Sequence, residues 1–181
     1  MTNLIIHPTD RSTDFLKPIY ANITDATILQ GGTSKAQVAK LISEHDRIIM
    51  LGHGSPYGLF SIGQFVGENG YVIDESMVPL LLDKECISIW CNADQFMNRH
   101  QLYGFYSGMF ISEVGEAMYC GLPGMEQETV TASNDYFAEL LGEVINEPLS
   151  VIHEHVIDNY GLLTEDNPVA LYNHNRLYLA E

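Results

Sequence analysis

Short apolar runs that alternate with helical segments are the feature that most constrains how this chain can fold. Such runs occupy residues 4–7, 26–30 and 47–51, and they end at Pro8, Gly31 and Gly52. Each run is too short for a typical helix and apolar enough to be buried on both faces. Alternation of this kind is typical of βαβ units, so it predicts a mostly parallel sheet with helices on both faces.

The rest of the chain continues this pattern to its end. Three further runs predict strands at residues 86–90, 105–111 and 169–172. A glycine-rich stretch over residues 55–70, followed by residues 71–73, predicts a small hairpin outside the main sheet. The predicted helices cover residues 14–23, 77–82, 94–101, 113–120, 129–146 and 148–161, with one more that Ser34 begins and that carries Val38, Leu41 and Ile42. Because no repeat or linker interrupts the pattern, we expect residues 1–181 to form a single α/β domain.

The charge balance limits the partners that the chain can bind. Lys and Arg number 8 against 24 Asp and Glu, which gives a net charge of -16. Binding of nucleic acid needs clustered Lys and Arg, so the composition argues against nucleic acid and equally against anionic membrane surfaces. It favours either a plain acidic surface or attraction of cationic substrates.

The termini, apolar runs and cysteines indicate a cytoplasmic protein. The first residues lack the basic and apolar regions of a signal peptide, and no apolar run approaches the length of a membrane span. Cys86, Cys91 and Cys120 are an odd and sparse set. We therefore expect free thiols rather than a disulfide framework.

His53 and Cys91 are the residues most capable of chemistry, because each directly follows an apolar run. Ligands of open α/β sheets sit outside the carboxyl ends of the strands, so neighbouring strands would bring imidazole and thiol to one edge. The imidazole can take the thiol proton, and the resulting thiolate is a strong nucleophile. The backbone N–H groups of Gly54 and Cys91 are candidates for stabilising an oxyanion. A lone cysteine in an apolar strand is usually a core residue, so the prediction rests on the pair.

The order of apolar run, His-Gly, spacer, second apolar run and Cys resembles the clan CD cysteine peptidases, which include caspases, legumains, gingipains, clostripain and separases. The matching segments are Ile48-Ile49-Met50-Leu51-Gly52-His53-Gly54 and Ile87-Ser88-Ile89-Trp90-Cys91, and residues 92–96 and 110–117 look more like gingipains than caspases. The resemblance covers about positions 45–120. It implies a caspase-like three-layer α/β sandwich, a His53/Cys91 dyad, a peptide or protein substrate and no cofactor. Trp90 is a departure, since a small residue usually precedes the nucleophile.

Three functions are compatible with these residues. The first is a cysteine endopeptidase, and the second, motivated by Trp90, is a catalytically inactive caspase-like scaffold for protein interaction. The third is a different Cys–His acyltransferase or amidase on the same sheet. For a peptidase, the acidic residues Asp94, Glu113 and Glu116 predict a preference for Arg or Lys before the scissile bond.

A zinc site is not predicted, although the sequence His153-Glu154-His155 invites the comparison. Residues two apart on a helix point to different faces, and the zinc helix motif places its histidines four apart. The sequence does not identify a third polar group that would orient His53. It does not determine the oligomeric state either.

Overall fold

The computed structural model describes residues 1–67 and 70–180 and has nine strands within them. In chain order these strands are β1 (Asn3–Ile6), β2 (Ala26–Leu29), β3 (Arg47–Leu51), β4 (Gly54–Ser55), β5 (Gly58–Phe60), β6 (Tyr71–Ile73), β7 (Glu85–Ile89), β8 (Gly104–Ser107) and β9 (Leu177–Ala180). The helices are α1 (Lys35–Glu44), α2 (Val78–Leu81), α3 (Ala93–His100), α4 (Val114–Tyr119), α5 (Gln127–Val144), α6 (Leu149–Gly161) and α7 (Pro168–His174). Two 3-10 helices span Arg11–Tyr20 and Glu75–Met77.

Six of these strands form a central sheet in the order β2-β1-β3-β7-β8-β9. The first five are parallel, and β9 runs antiparallel to β8. The order reverses between β1 and β3, which makes this point the topological switch of the sheet, where doubly wound α/β proteins bind their ligands. The predicted α/β fold with a mostly parallel sheet is therefore confirmed.

Apolar layers cover both faces of the sheet, which explains the uninterrupted apolar runs in its strands. Ile49 and Leu51 of β3 pack with residues of the first 3-10 helix, α5 and α6. Ile48 and Met50 of the same strand pack on the opposite side with residues of α1, α2 and α3. Successive side chains of a strand point to opposite faces, so a strand between two helical layers must be apolar throughout.

The structure differs from the sequence-based prediction most clearly near the end of the chain. Residues 169–172 were predicted as a strand but belong to α7, so that prediction is wrong. Asn167 caps this helix, its Oδ1 accepting from the N–H groups of Val169 and Ala170, and Pro168 suits the first helical turn. The last strand is β9, which lies further along the chain and covers the edge of β8.

Two other regions differ in detail from the prediction. The segment predicted as a helix over 14–23 is a 3-10 helix that includes Pro18. The predicted hairpin is a three-stranded antiparallel sheet, β4-β5-β6, outside the main sheet. Residues 68 and 69 of the predicted hairpin segment lie outside the described residues. Within the described ranges, no helix combines the length and apolarity needed to cross a membrane.

Candidate active site

The carboxyl ends of β3 and β7 bring His53 and Cys91 to one edge of the sheet. The two strands are parallel neighbours with Leu51 opposite Ile89, and the Gly52 N–H donates to the Ile89 carbonyl at 3.1 Å. His53 and Cys91 both line a cavity of about 20 Å³, which is enough for one water molecule. Sequence reasoning therefore identified two residues that the fold places at one cavity.

The Nε2 atom of His53 is hydrogen-bonded to a side chain that the sequence analysis does not identify. Its Nε2 lies 2.6 Å from the Oγ of Ser12, which in turn donates to Oδ1 of Asp10 at 2.8 Å. The Ser12 N–H also donates to Oδ1 of Asp10 at 2.9 Å. These two bonds from Ser12 lower the pKa of Asp10 below its ordinary value. The signal in the sequence that could have identified Ser12 is an Asp-x-Ser cap directly after the first strand. That strand ends at the same edge of the sheet as the strand that precedes His53.

The Cys91 thiol is held as a neutral donor in this arrangement. Its Sγ donates to the Phe110 carbonyl at 3.4 Å and lies 3.8 Å from Oε1 of Glu116. Burial, together with the negative charge of Glu116, raises the pKa of Cys91 to about 12. Among the described residues, His53 is not a hydrogen-bond partner of the thiol.

Both groups that contact the thiol are themselves fixed. Asn173, which is fully buried, donates to the carbonyl of Ile111 at 2.9 Å and accepts from its N–H at 2.7 Å, next to Phe110. The other carboxylate oxygen of Glu116, Oε2, accepts from the Ser112 N–H at 2.7 Å, from the Ser112 Oγ at 3.0 Å and from the Glu113 N–H at 3.1 Å. The two groups that contact the neutral thiol are thus each held in place by hydrogen bonds of their own.

Gly54 and Trp90 form a close contact beneath the loop that carries His53. A Cβ atom at Gly54 would lie 2.2 Å from Cδ1 of Trp90, so only glycine fits there. The indole is almost fully buried beside Phe96, and its Nε1 donates to the Ser55 carbonyl at 3.1 Å. The bulk of Trp90 is therefore accommodated mainly in the apolar layer, where it supports the loop of His53.

The two backbone N–H groups proposed for an oxyanion are free of the strand ladder. The Phe60 N–H donates to the His53 carbonyl, and hydrogen-bonded pairs alternate along an antiparallel ladder. The pair of Gly54 and Leu59 is consequently a non-hydrogen-bonded pair, and the Gly54 N–H points away from β5. In residues 1–67 and 70–180 the Cys91 N–H has no backbone partner.

The three acidic residues predicted to bind substrate lie in different surroundings. Asp94 interacts with Arg176 and sits near Tyr106, and burial raises its pKa. Glu116 caps α4 and contacts the Cys91 thiol. Glu113 lines an open groove.

The groove lined by Glu113 adjoins the cavity of His53, because Phe15 borders both and Ser12 lies on the groove wall. Asp135 and the exposed Arg11 also line it. Asn134 adds a buried amide, whose Nδ2 donates to the Ser112 carbonyl at 2.9 Å. Its Oδ1 has no hydrogen-bond partner among the described residues. We call this feature the Glu113 groove.

His7 is a second histidine at the switch point, and its role is structural. It is almost fully buried, with Nδ1 2.9 Å from the Tyr20 hydroxyl and Nε2 3.1 Å from Oγ1 of Thr13. Burial lowers the pKa of His7 to about 4. The ring is therefore neutral, and it ties the first 3-10 helix to the end of β1.

The histidines considered for zinc are engaged elsewhere. His153 packs edge-on against Phe105, and Nε2 of His155 lies 3.0 Å from Oε2 of Glu143. The part of the chain that the structure describes contains no cluster of three or more His, Cys, Asp or Glu side chains placed to hold a metal ion.

Comparison with known proteins adds little to this picture. No protein-family model matches the chain, and no curated protein matches it at significant similarity. Among solved structures, the chain is similar to an NADPH-quinone reductase from P. pentosaceus, with 14% identity over 76% of this chain and 98% of that chain. The TM-score of 0.34 is too low for this similarity to support a functional argument.

Proposed function

We propose that this chain is a cysteine peptidase of caspase-like type, with Cys91 as the nucleophile and His53 as the base. The observation that carries the proposal is that both residues follow adjacent parallel strands and line one cavity. In the clan CD peptidases a His-Gly follows one central strand and the Cys follows the next. The pairing of β3 with β7 supports this assignment.

The proposed reaction uses the two side chains and two backbone donors. The Cys91 sulfur attacks the substrate carbonyl carbon while its proton passes to His53. The N–H groups of Gly54 and Cys91 donate to the oxyanion of the tetrahedral intermediate. Collapse of the intermediate breaks the C–N bond, and the amine leaves with the proton from His53. Water, deprotonated by His53, then hydrolyses the thioester and restores the thiol.

The described arrangement corresponds to the resting form in this proposal. The thiol donates to the Phe110 carbonyl, and the cavity of about 20 Å³ has room for one water molecule but not for a scissile peptide. The rings of Phe15 and Phe110 stack at 6.4 Å between centroids and border this cavity. Substrate binding must therefore separate these rings and free the thiol from Phe110.

We infer that the residue before the scissile bond is Arg or Lys and that its side chain enters the Glu113 groove. The groove carries the carboxylates of Glu113 and Asp135 against the single guanidinium of Arg11. The unpartnered Oδ1 of Asn134 is an acceptor, and its orientation follows from the bond that Nδ2 makes to Ser112. A guanidinium or ammonium supplies donors for these oxygens.

One observation favours the second candidate, a catalytically inactive scaffold. The Cys91 thiol is buried, donates to a carbonyl and lies beside a carboxylate, and its pKa is raised to about 12. A nucleophilic cysteine usually has the opposite surroundings, with a nearby cation that lowers its pKa. If the Phe110 and Glu116 contacts persist with substrate present, the chain does not catalyse hydrolysis.

Turnover of a fluorogenic peptide panel separates these candidates. The peptides carry Arg, Lys, Asp, Asn or Leu before the scissile bond, and wild type is compared with Cys91→Ala, His53→Ala and the matched control Cys120→Ala. We expect cleavage of the Arg and Lys peptides by wild type and Cys120→Ala only. Preference for the Asp peptide would refute the groove assignment while leaving the dyad, and equal turnover by Cys91→Ala would refute the peptidase itself.

A further inference from the structure

We propose that Asp10 and Ser12 act as positioning residues that hold His53 in one tautomer, with the proton on Nε2 and the lone pair on Nδ1. This inference deepens the proposed function and rests on it for its catalytic meaning. It starts from the chain of contacts Asp10 Oδ1–Ser12 Oγ at 2.8 Å and Ser12 Oγ–His53 Nε2 at 2.6 Å.

The tautomer follows from counting protons along this chain. A serine hydroxyl has one proton and two lone pairs, whereas an ionised carboxylate only accepts. Two hydrogen bonds from Ser12 lower the pKa of Asp10, so its carboxylate is ionised near neutral pH. The Ser12 proton therefore points to Asp10, and the contact with His53 is made by Nε2–H donating to Ser12 Oγ. A neutral imidazole protonated at Nε2 has its lone pair on Nδ1.

The same assignment of protons excludes Ser12 as a nucleophile. A nucleophilic serine gives its proton to the histidine, but here that proton is committed to the carboxylate of Asp10. When His53 accepts the thiol proton at Nδ1, the imidazolium remains bonded to Ser12 and feels the negative charge of Asp10. The chain thus stabilises the charged form of the base at the moment when it is needed.

A second Asp-x-Ser cap in this chain shows that such a cap does not require a contact with a histidine. Asp74 accepts from the N–H of Ser76 at 2.9 Å and from its Oγ at 2.6 Å, and this cap also begins a 3-10 helix. Its geometry is complete without a histidine. The cap formed by Asp10 differs because its serine also contacts His53, across 41 positions of the sequence.

The first 3-10 helix is anchored so that Ser12 stays in place. The hydroxyl of Thr13 bonds to the buried ring of His7, and it also donates to the Asp10 carbonyl at 3.1 Å. Tyr20, at the other end of the same helix, contacts the second nitrogen of His7. The serine that contacts His53 is therefore carried by a segment fixed at both ends to the end of β1.

Nitrogen-15 NMR of uniformly labelled protein tests the tautomer directly, with His53 assigned by comparison with His53→Ala. We expect an Nε2–H tautomer at neutral pH in wild type and in the matched control Ser76→Ala. Ser12→Ala is expected to populate both tautomers, and Ser12→Thr, which keeps the hydroxyl, is expected to restore the single one. An Nδ1–H tautomer in wild type, or no change in Ser12→Ala, would overturn the inference. Circular dichroism of each variant establishes that it is folded.

The pH profile of peptide cleavage supplies the catalytic readout. For Ser12→Ala and Asp10→Asn we expect about a tenfold loss of kcat with little change in KM, since only the charged form of the base loses support. Profiles that coincide with wild type would contradict the positioning role. If wild type shows the Nε2–H tautomer but cleaves no peptide, the proposed function fails while this inference stands.

Discussion

The two ends of strand β3 carry very different polar residues. At the amino end, the fully buried Arg47 donates from Nε at 3.0 Å and from Nη2 at 2.6 Å to Glu85. Nη1 and Nη2 also donate to the carbonyls of Ile145 and Glu147, respectively. Past the carboxyl end, His53 is half-buried, borders a cavity and contacts the Ser12 hydroxyl through Nε2.

The comparison teaches how to tell a structural polar residue from a chemical one in this fold. A buried charge that is retained needs partners for its donors, and Arg47 has them. At the opposite edge, His53 and Cys91 line a cavity with space for water. Removal of Arg47 should therefore lower the stability of the fold, and removal of His53 should affect the proposed chemistry.

Replacement of Arg47 by Met is the change expected to have the largest effect on stability. It leaves the Glu85 carboxylate and two carbonyls without their donors, and breaking a buried ion pair costs about 3–5 kcal/mol. Urea unfolding should show this loss, whereas Lys40→Met, whose side chain is 73% exposed, should change the free energy of unfolding by less than about 0.5 kcal/mol. A similar effect of both substitutions, or a larger effect of His53→Ala, would break the contrast between the two ends.

His7 should contribute to acid destabilisation. Its pKa is about 4 in the folded chain against an ordinary value of 6.5, so the unfolded chain binds the proton more readily. The contribution of His7 to the free energy of unfolding should therefore fall by about 3 kcal/mol as the pH drops from 6.5 towards 4 and then level off. In His7→Gln this part of the dependence should vanish, while His155→Gln should retain it. A pH dependence of His7→Gln equal to wild type would contradict the assignment.

Substitution of Gly54 by Ala tests the support beneath His53. The new Cβ would meet Trp90 at 2.2 Å and the Gly58 carbonyl at 2.6 Å, and such overpacking costs about 1–3 kcal/mol. Gly115→Ala is the matched control, because nothing lies within 4 Å of a Cβ at that position. We expect the Trp90 fluorescence of Gly54→Ala to change and that of the control to stay. Equal free energies of unfolding for the two variants would contradict the predicted overpacking against Trp90.

The smallest predicted effect concerns the charge beside the thiol. Glu116→Gln keeps an oxygen for the Ser112 donors but removes the negative charge 3.8 Å from Sγ. The pKa of Cys91 should fall, and its alkylation by iodoacetamide near neutral pH should accelerate about three- to tenfold. Peptide mapping distinguishes Cys91 from Cys86 and Cys120. Glu113→Gln is the matched control, because it removes the charge of an exposed residue near Glu116, and it should not change the alkylation rate. Equal acceleration by both variants would rule out a local effect of the Glu116 charge.

The sequence predicts the strands of the sheet well because two helical layers make them apolar throughout. β3 has the bounds that the sequence predicts, and β7 differs by one residue at each end. The apolar run at 169–172 misleads because Asn167 and Pro168 start a helix there, so local capping outweighs composition.

The candidate site was only partly accessible to sequence reasoning, for a physical reason. His53 and Cys91 stand out because each follows an apolar run, and parallel neighbours share an edge. Asp10 and Ser12 lie at the start of the 3-10 helix that follows β1, and the contact of Ser12 with His53 depends on the pairing of β1 with β3. Strand order is a property of the whole sheet, which no local pattern encodes.

Labelling with a peptidyl acyloxymethyl ketone that carries Arg next to the warhead tests the central claim most directly. The reagent needs both a nucleophilic sulfur and a bound peptide, and the modified residue is read by mass mapping. We predict a single adduct on Cys91 that is formed by wild type and Cys120→Ala and is lost in His53→Ala. An adduct on Cys86 or Cys120, or none on Cys91 under conditions in which iodoacetamide modifies it, would contradict the account.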